Sequence, residues 1–360
     1  MEDTQMTEAD AALETPASDV FIPPSIHDGP LLAGESYSHF SPVPPALASP
    51  SPSPEPGNGV PCCLGVDEAG RGPVLGPMVY GVFYLPLELS DPLLRGEHHF
   101  DDSKVLTPAV RSALMEKLCT PSAKPSGSGA AAADNALHSR CGWATTSLSA
   151  RDISANMLRP SAAYNLNAQA MDATVALIQG VLARGVNVRE IYVDTIGQPA
   201  AYQKRLERVF PAISITVAKK ADSLYPCVSA ASVCAKVTRD AALEVLYRRH
   251  AGAAGSGDGE QAVAAGMAWG SGYPSDGRCV GWMRSNMHPV FGWGPECRFS
   301  WGTAKDMMEA KGAGVNVEWP VEDDGETARL TDFFVASEGR DKDADELGTW
   351  FGTPAGLEAF

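Results

Sequence analysis

No lysine or arginine occurs in the first 59 residues of this 360-residue chain, although nine aspartates and glutamates do. That stretch is rich in Pro, Ser and Ala and ends in SPSPEPGNG (51–59). It has too little apolar surface to offset the entropy of ordering, so 1–59 is predicted to be a disordered acidic tail. Nowhere do 18 apolar residues run together, which excludes an ordinary membrane-spanning helix. The first thirty residues lack both a basic start and an apolar centre, so no secretory signal is expected; being acid-rich and Arg-free, they also differ from a mitochondrial transit peptide. CxxC pairs are missing among the eight cysteines, and no Cys/His spacing suits zinc. The expectation is an intracellular protein with reduced thiols.

Charge is present in quantity but unevenly placed. The net charge is −16 and the sequence pI about 4.8, which taken whole should repel nucleic acid. Residues 309–360 hold thirteen acids and four bases, whereas 60–308 hold 22 acids and 24 bases. The acidity therefore lies at the two ends. The middle is slightly basic, and a nucleic-acid partner is open again.

Periodicity places the structure in that middle. Five strands are predicted, at CCLGV (62–66), MVYGVFYL (78–85), GWATTSL (142–148), REIYVD (189–194) and ISITV (213–217). Met171, Val175, Ile178 and Leu182 make one apolar helical face over about 164–184. Val233, Val237, Ala241 and Val245 make another over about 226–249. Shorter helices are expected near 108–118, 200–209 and 300–310. The order suggests an α/β fold with a mixed five-stranded sheet. The domain is drawn over 60–310, with small-residue insertions at 121–134 and 251–266, followed by an acidic segment over 311–360.

Carboxylates stand where strands end. Asp67 and Glu68 close the first strand ahead of AGRGPVLG (69–76), where Gly70 and Gly72 allow close backbone approach to a ligand and Arg71 offers a phosphate partner. Gly70, Gly72 and Gly76 also give a weak dinucleotide-type pattern, but the acids before it would repel a pyrophosphate. Asp194 ends IYVD, and Asp222 lies in KKADSLYP. Taken singly, Asp194 reads as a turn-former or cap and Asp222 as an N-cap. Taken together, four carboxylates at one sheet edge are costly to hold without cations and match the needs of two-metal phosphodiester chemistry.

At this point LGVDEAGRGPVLGPMVYG (64–81) resembles the signature of the type 2 ribonuclease H (ribonuclease HII) family. YVDTIGQP (192–199), KKADSLYPCVSAASVCAKVTRD (219–240) and GSGYPSD (270–276) resemble its further blocks, in order. DSKVL (102–106), YNLN (164–167), GVNV (185–188), HPVFGW (288–293) and RFSW (298–301) fit as well. The likeness covers about 60–305 and leans to the catalytic subunit of the eukaryotic enzyme.

The resemblance implies a ribonuclease H-like mixed sheet with a C-terminal helical extension. It implies that Asp67, Glu68, Asp194 and Asp222 hold two Mg²⁺ or Mn²⁺ ions and that Gly70, Arg71 and Gly72 contact the ribonucleotide through backbone groups. Tyr273 would pack on the sugar at the RNA–DNA junction. Lys104 and Arg239 would lie at phosphates or the site's edge, and Asn165 near the nucleic acid. The plainer alternatives are a turn aromatic for Tyr273, surface or acid-paired charges for Lys104 and Arg239, and a helix cap for Asn165.

The implied activity is cleavage of RNA in RNA–DNA hybrids and 5′ of single ribonucleotides in duplex DNA, in the nucleus, within a heterotrimer with two accessory subunits. TARLTDFF (327–334) resembles a sliding-clamp-binding peptide, with Leu330, Phe333 and Phe334 as anchors and Thr327 where Gln is usual. A resolvase- or integrase-type nuclease on the same fold, and a non-catalytic protein that only binds hybrids, are the competing readings. The glycine loop with Tyr273 argues against the first, and the full set of acids against the second.

Overall fold

The computed structural model describes residues 21–48, 59–100, 106–121, 136–159, 164–195, 198–253 and 267–310. Lys104, nearly all of both insertions, and the 311–360 segment with Leu330, Phe333 and Phe334 lie outside the described residues.

Along the chain come α1 (Asp28–Leu32), β1 (Tyr37–Phe40), β2 (Cys62–Ala69) and β3 (Met78–Pro86). Then follow α2 (Pro108–Cys119), α3 (Ala136–Arg140), β4 (Gly142–Leu148), α4 (Ala150–Met157), α5 (Leu166–Leu182) and β5 (Val188–Asp194). The chain continues through α6 (Pro199–Val209), β6 (Ser214–Ala218), α7 (Ala221–Leu224), α8 (Pro226–Ala253), α9 (Gly277–Ser285) and α10 (Gly302–Glu309). The strands form one mixed sheet in the order β1-β4-β3-β2-β5-β6. β2, β5 and β6 run parallel, and the other pairs are antiparallel.

All five predicted strands are present, but the sheet has six. The sixth, β1, comes from the stretch read as tail and pairs antiparallel with β4, from Tyr37↔Ser147 to Phe40↔Ala144. Around it Leu31 and Leu47 are buried, and the buried Ser25 hydroxyl bonds Thr238 of α8 at 2.8 Å. The tail reading is thus corrected for 21–48. This segment draws its stability from β4 and α8 rather than from apolar content of its own.

Both faces of the sheet are covered. On one, α5 and α6 enclose an apolar cluster with Leu64, Val66, Val82, Leu177, Ile178, Ile191 and Leu206. On the other, α8 lies almost on the backbone. A Cβ at Gly65 would sit 2.2 Å from the Cys227 carbonyl oxygen, and one at Gly81 would sit 2.6 Å from that of Ala231. Two glycines in the central strands, Gly65 facing Cys227 and Val228 and Gly81 facing Ala231 and Ala235, set this close approach. A third cluster joins the end of α8 to α9 and the loop after β2 through Val74, Leu75, Leu243, Trp269, Met283 and Cys297.

Candidate active site

Because β2, β5 and β6 are adjacent and parallel, their C-terminal ends open on one edge of the sheet. The register pairs Val66 with Val193 and Asp194 with Ala218, so Asp67 and Asp194 are neighbours across two strands. Asp222 follows β6 by one tight turn, made at Lys220 with φ of 57°. All four predicted carboxylates therefore gather at that edge.

Each is held differently. Strand alternation turns Asp67 toward α8 and Glu68 toward the α5/α6 face, beside Tyr80, its cross-strand partner. Asp67 is 7% exposed. Burial, then the Glu68 and Asp194 charges, push its carboxyl well above the usual range. Opposing them are the Glu68 amide, donating at 2.7 Å, and the Ser232 hydroxyl, which faces Asp67 without a hydrogen bond of full geometry. Burial also raises Glu68 to about 7, helped by Asp194 and resisted by Arg71, whose guanidinium stands 3.8 Å away. Asp194 accepts the Ala221 amide at 2.8 Å and so ties the end of β5 to the start of α7. Asp222, 7% exposed, accepts the Ser223 amide at 3.1 Å. It sits in the first turn of α7 rather than capping α8.

Among the described residues no three His, Cys, Asp or Glu side chains are already drawn together as a metal cage. Glu68 stands beside Arg71, and Asp194 is engaged by the Ala221 amide. The donor set is nonetheless all oxygen, which suits a hard divalent ion.

Beside the acids lies the glycine loop, and its backbone is clamped. Arg298, fully buried, donates to the carbonyls of Gly76 at 3.0 Å, Arg71 at 3.0 Å and Gly70 at 2.7 Å. Burial, with Arg239 nearby, lowers its pKa to about 9. The Trp301 indole donates to the Gly72 carbonyl at 3.0 Å, and its ring lies 4.8 Å from the Arg298 guanidinium carbon. In a trans peptide plane C=O and N–H point oppositely. Holding the Gly70 and Arg71 carbonyls inward therefore turns the Arg71 and Gly72 N–H groups away from the protein.

The residues 64–304 match the family model described as Ribonuclease HII. Two relatives are each named as the A subunit of ribonuclease H2. That of Neurospora crassa is 61% identical over 94% of this chain and 97% of its own length. That of Homo sapiens is 40% identical over 76% of this chain and 82% of its own. Among solved structures, the ribonuclease H2 from Pyrococcus horikoshii OT3 superposes with a TM-score of 0.52 at 28% identity, covering 69% of this chain and 97% of that one. The chain belongs to the ribonuclease HII family. It is accordingly an endoribonuclease of the ribonuclease H type 2 class.

The remaining predicted residues of this ribonuclease HII chain separate into two groups. Tyr273 lies at the site, 38% exposed, with its ring 3.1 Å from where a Gly72 Cβ would stand. Arg239 is beneath it. Buried, it donates to the Ser271 carbonyl at 2.6 Å and to Asp240 at 3.1 Å, and packs under Gly70 and Gly272. That makes it a strut between two glycine turns. Asn165 caps α5 by accepting the Ala168 amide at 3.0 Å, its plainer alternative. Two residues later, Asn167 accepts a short hydrogen bond from the Arg71 guanidinium.

Arg298, Trp301 and Asn167 are parts of the site that the sequence does not single out. RFSW and YNLN stand out as blocks, but nothing local in them signals a partner 96 to 229 residues away.

Proposed function

We propose that this chain cleaves the RNA strand of RNA–DNA hybrids, and the 5′ side of single ribonucleotides in duplex DNA, leaving 3′-hydroxyl and 5′-phosphate ends. The observation that carries this reading is the convergence of four strand-end carboxylates beside a glycine loop whose outward N–H groups are preset by Arg298.

Asp67, Glu68, Asp194 and Asp222 would hold Mg²⁺ or Mn²⁺. When bound, such ions supply Lewis-acid activation of the attacking water and charge stabilisation at the leaving oxygen. The fit rests on the all-oxygen donor set gathered at one sheet edge, where buried Asp67 and half-buried Glu68 stand as adjacent like charges that a divalent ion would relieve. The chain's other groups do the reading. Only RNA carries a 2′-hydroxyl, and the N–H groups of Arg71 and Gly72 can approach it because no side chain stands at Gly70 or Gly72. The Tyr273 face, against Gly72, limits which sugar geometry fits there. Arg71, steered by Asn167 and Glu68, is poised for a phosphate.

The relatives are each named as one subunit of a larger enzyme, which supports action within a multi-subunit assembly. We extend this to a nuclear heterotrimer with two accessory subunits. The 327–334 peptide is the candidate sliding-clamp contact. The resolvase-type reading gains no support, since those enzymes have no use for a 2′-hydroxyl reader.

Asp67→Asn or Asp194→Asn, assayed with Mg²⁺ on a duplex carrying one ribonucleotide, should lower the rate by at least ~10³. Near wild-type cleavage by either variant would refute the assignment.

A further inference from the structure

On α6, a solvent-facing group of cations is left over by the fold. Lys204, Arg205 and Arg208 are exposed, and among the described residues no ion pair involves them. Spacings of three and four put them on one side of the helix, where like charges cost ~0.2–0.5 kcal/mol per pair. Glu207, between them, accepts from Gln203 at 2.8 Å instead. The opposite side of α6 is anchored by Leu206, fully buried, and by Tyr202, which donates to Thr174 at 3.2 Å, so the stripe cannot roll inward. α6 packs on β6, and at the end of β6 Lys219 and Lys220 are likewise exposed without an ion pair.

The helix that carries this stripe starts near the catalytic edge. α6 begins at Pro199, five residues after Asp194. Tyr202 lies in the electrostatic reach of Glu68, Arg71 and Arg205 together. At ~1.5 Å rise per residue, Lys204 and Arg208 sit roughly 7 and 13 Å along the helix from its start. The ~6 Å between them spans about two phosphates of one strand at ~3.4 Å each.

We propose that Lys204, Arg205 and Arg208, extended by Lys219 and Lys220, form a phosphate track that grips the nucleic-acid backbone outside the reacting ribonucleotide. This rests on the hybrid-cleaving function proposed above. A regularly spaced polyanion suits a stripe of uncompensated cations on a helix that starts near the catalytic edge. Each neutralised phosphate releases counterions, so the track should be visible in the salt dependence of binding.

The test uses the full chain carrying Lys204→Gln, Arg205→Gln and Arg208→Gln together. Its binding to an RNA–DNA hybrid duplex is measured by fluorescence anisotropy from about 50 to 200 mM salt. Affinity at the low end should fall about tenfold or more, and the slope of log K against log salt should become shallower by roughly 2–3. The cleavage rate at saturating substrate should hold while KM rises. Arg140→Gln with Arg249→Gln, on the opposite face of the sheet, should change neither.

Wild-type affinity and slope in the triple variant would overturn the track. So would intact duplex binding with lost capture of the accessory subunits, which would assign this face to a protein. A wild-type chain that binds duplex through the stripe but shows no ribonucleotide-dependent cleavage would sink the hybrid-cleaving function and leave the track standing.

Discussion

The carboxylate edge and the glycine loop adjoin each other yet are built by opposite means. At the edge, Glu68 and Asp194 push the Asp67 carboxyl up, Asp194 does the same to Glu68, and few local partners relieve them. In the loop, every carbonyl from Gly70 to Gly72 has a donor brought from the far end of the chain. The contrast follows from the tasks. Groups proposed to take up a cation are left electrostatically unsatisfied, whereas groups proposed to discriminate one hydroxyl are held rigid before a substrate arrives.

Breaking the rigid half should have the largest effect on the fold. Arg298→Met removes three charge-assisted hydrogen bonds and strands buried carbonyls of Gly70, Arg71 and Gly76. A loss of roughly 3–5 kcal/mol is expected, read by denaturant unfolding. Arg298→Lys keeps the charge but lacks the planar fork, so it should recover only part of the stability and little discrimination between a ribonucleotide and a deoxynucleotide. Full recovery by lysine would mean that charge, not the three-carbonyl geometry, fixes the loop.

The unsatisfied half should respond to pH and metal instead. Asp67 and Glu68 bind protons more tightly folded than unfolded, so their contribution to stability is greatest below the unfolded carboxylate range and is lost as pH rises from ~4 toward the folded value, about 7 for Glu68. Without divalent ions the melting temperature should fall between pH 5 and 8. Mg²⁺ should restore it more at pH 8 than at pH 5. Asp67→Asn should flatten that slope and stabilise the metal-free chain by ~1–2 kcal/mol while abolishing cleavage. A metal-free melting temperature that rises steadily over this range would contradict the arrangement.

How much of this is legible in the sequence follows the same division. β2 and β3 are readable as continuous apolar runs and β5 from the β-branched and aromatic residues of IYV (191–193), and the acids because they follow those runs where strands end. β1 is not readable. Its Ser38 and His39 break the apolar pattern, and an edge strand of four residues owes its conformation to the partner it finds. The Arg298 clamp is hidden for a related reason. An arginine in RFSW looks like any surface cation until the fold buries it under a loop 222 to 228 residues earlier.

The smallest expected effect separates two asparagines of one motif and sharpens the comparison most finely. Asn165 and Asn167 are two positions apart, yet one serves the helix and the other the site. Asn165→Ala should remove the α5 cap and cost ~1 kcal/mol in stability, with cleavage unchanged. Asn167→Ala should leave stability within ~0.5 kcal/mol, because the residue is exposed and its bond reaches outward to Arg71. Freed from Asn167, Arg71 would swing toward Glu68, tightening their pair and lowering the Glu68 pKa. The descending limb of metal-free stability against pH should then shift to lower pH in Asn167→Ala and stay in place in Asn165→Ala. An unshifted limb in Asn167→Ala would mean that the loop backbone alone, already fixed by Arg298, sets where Arg71 points.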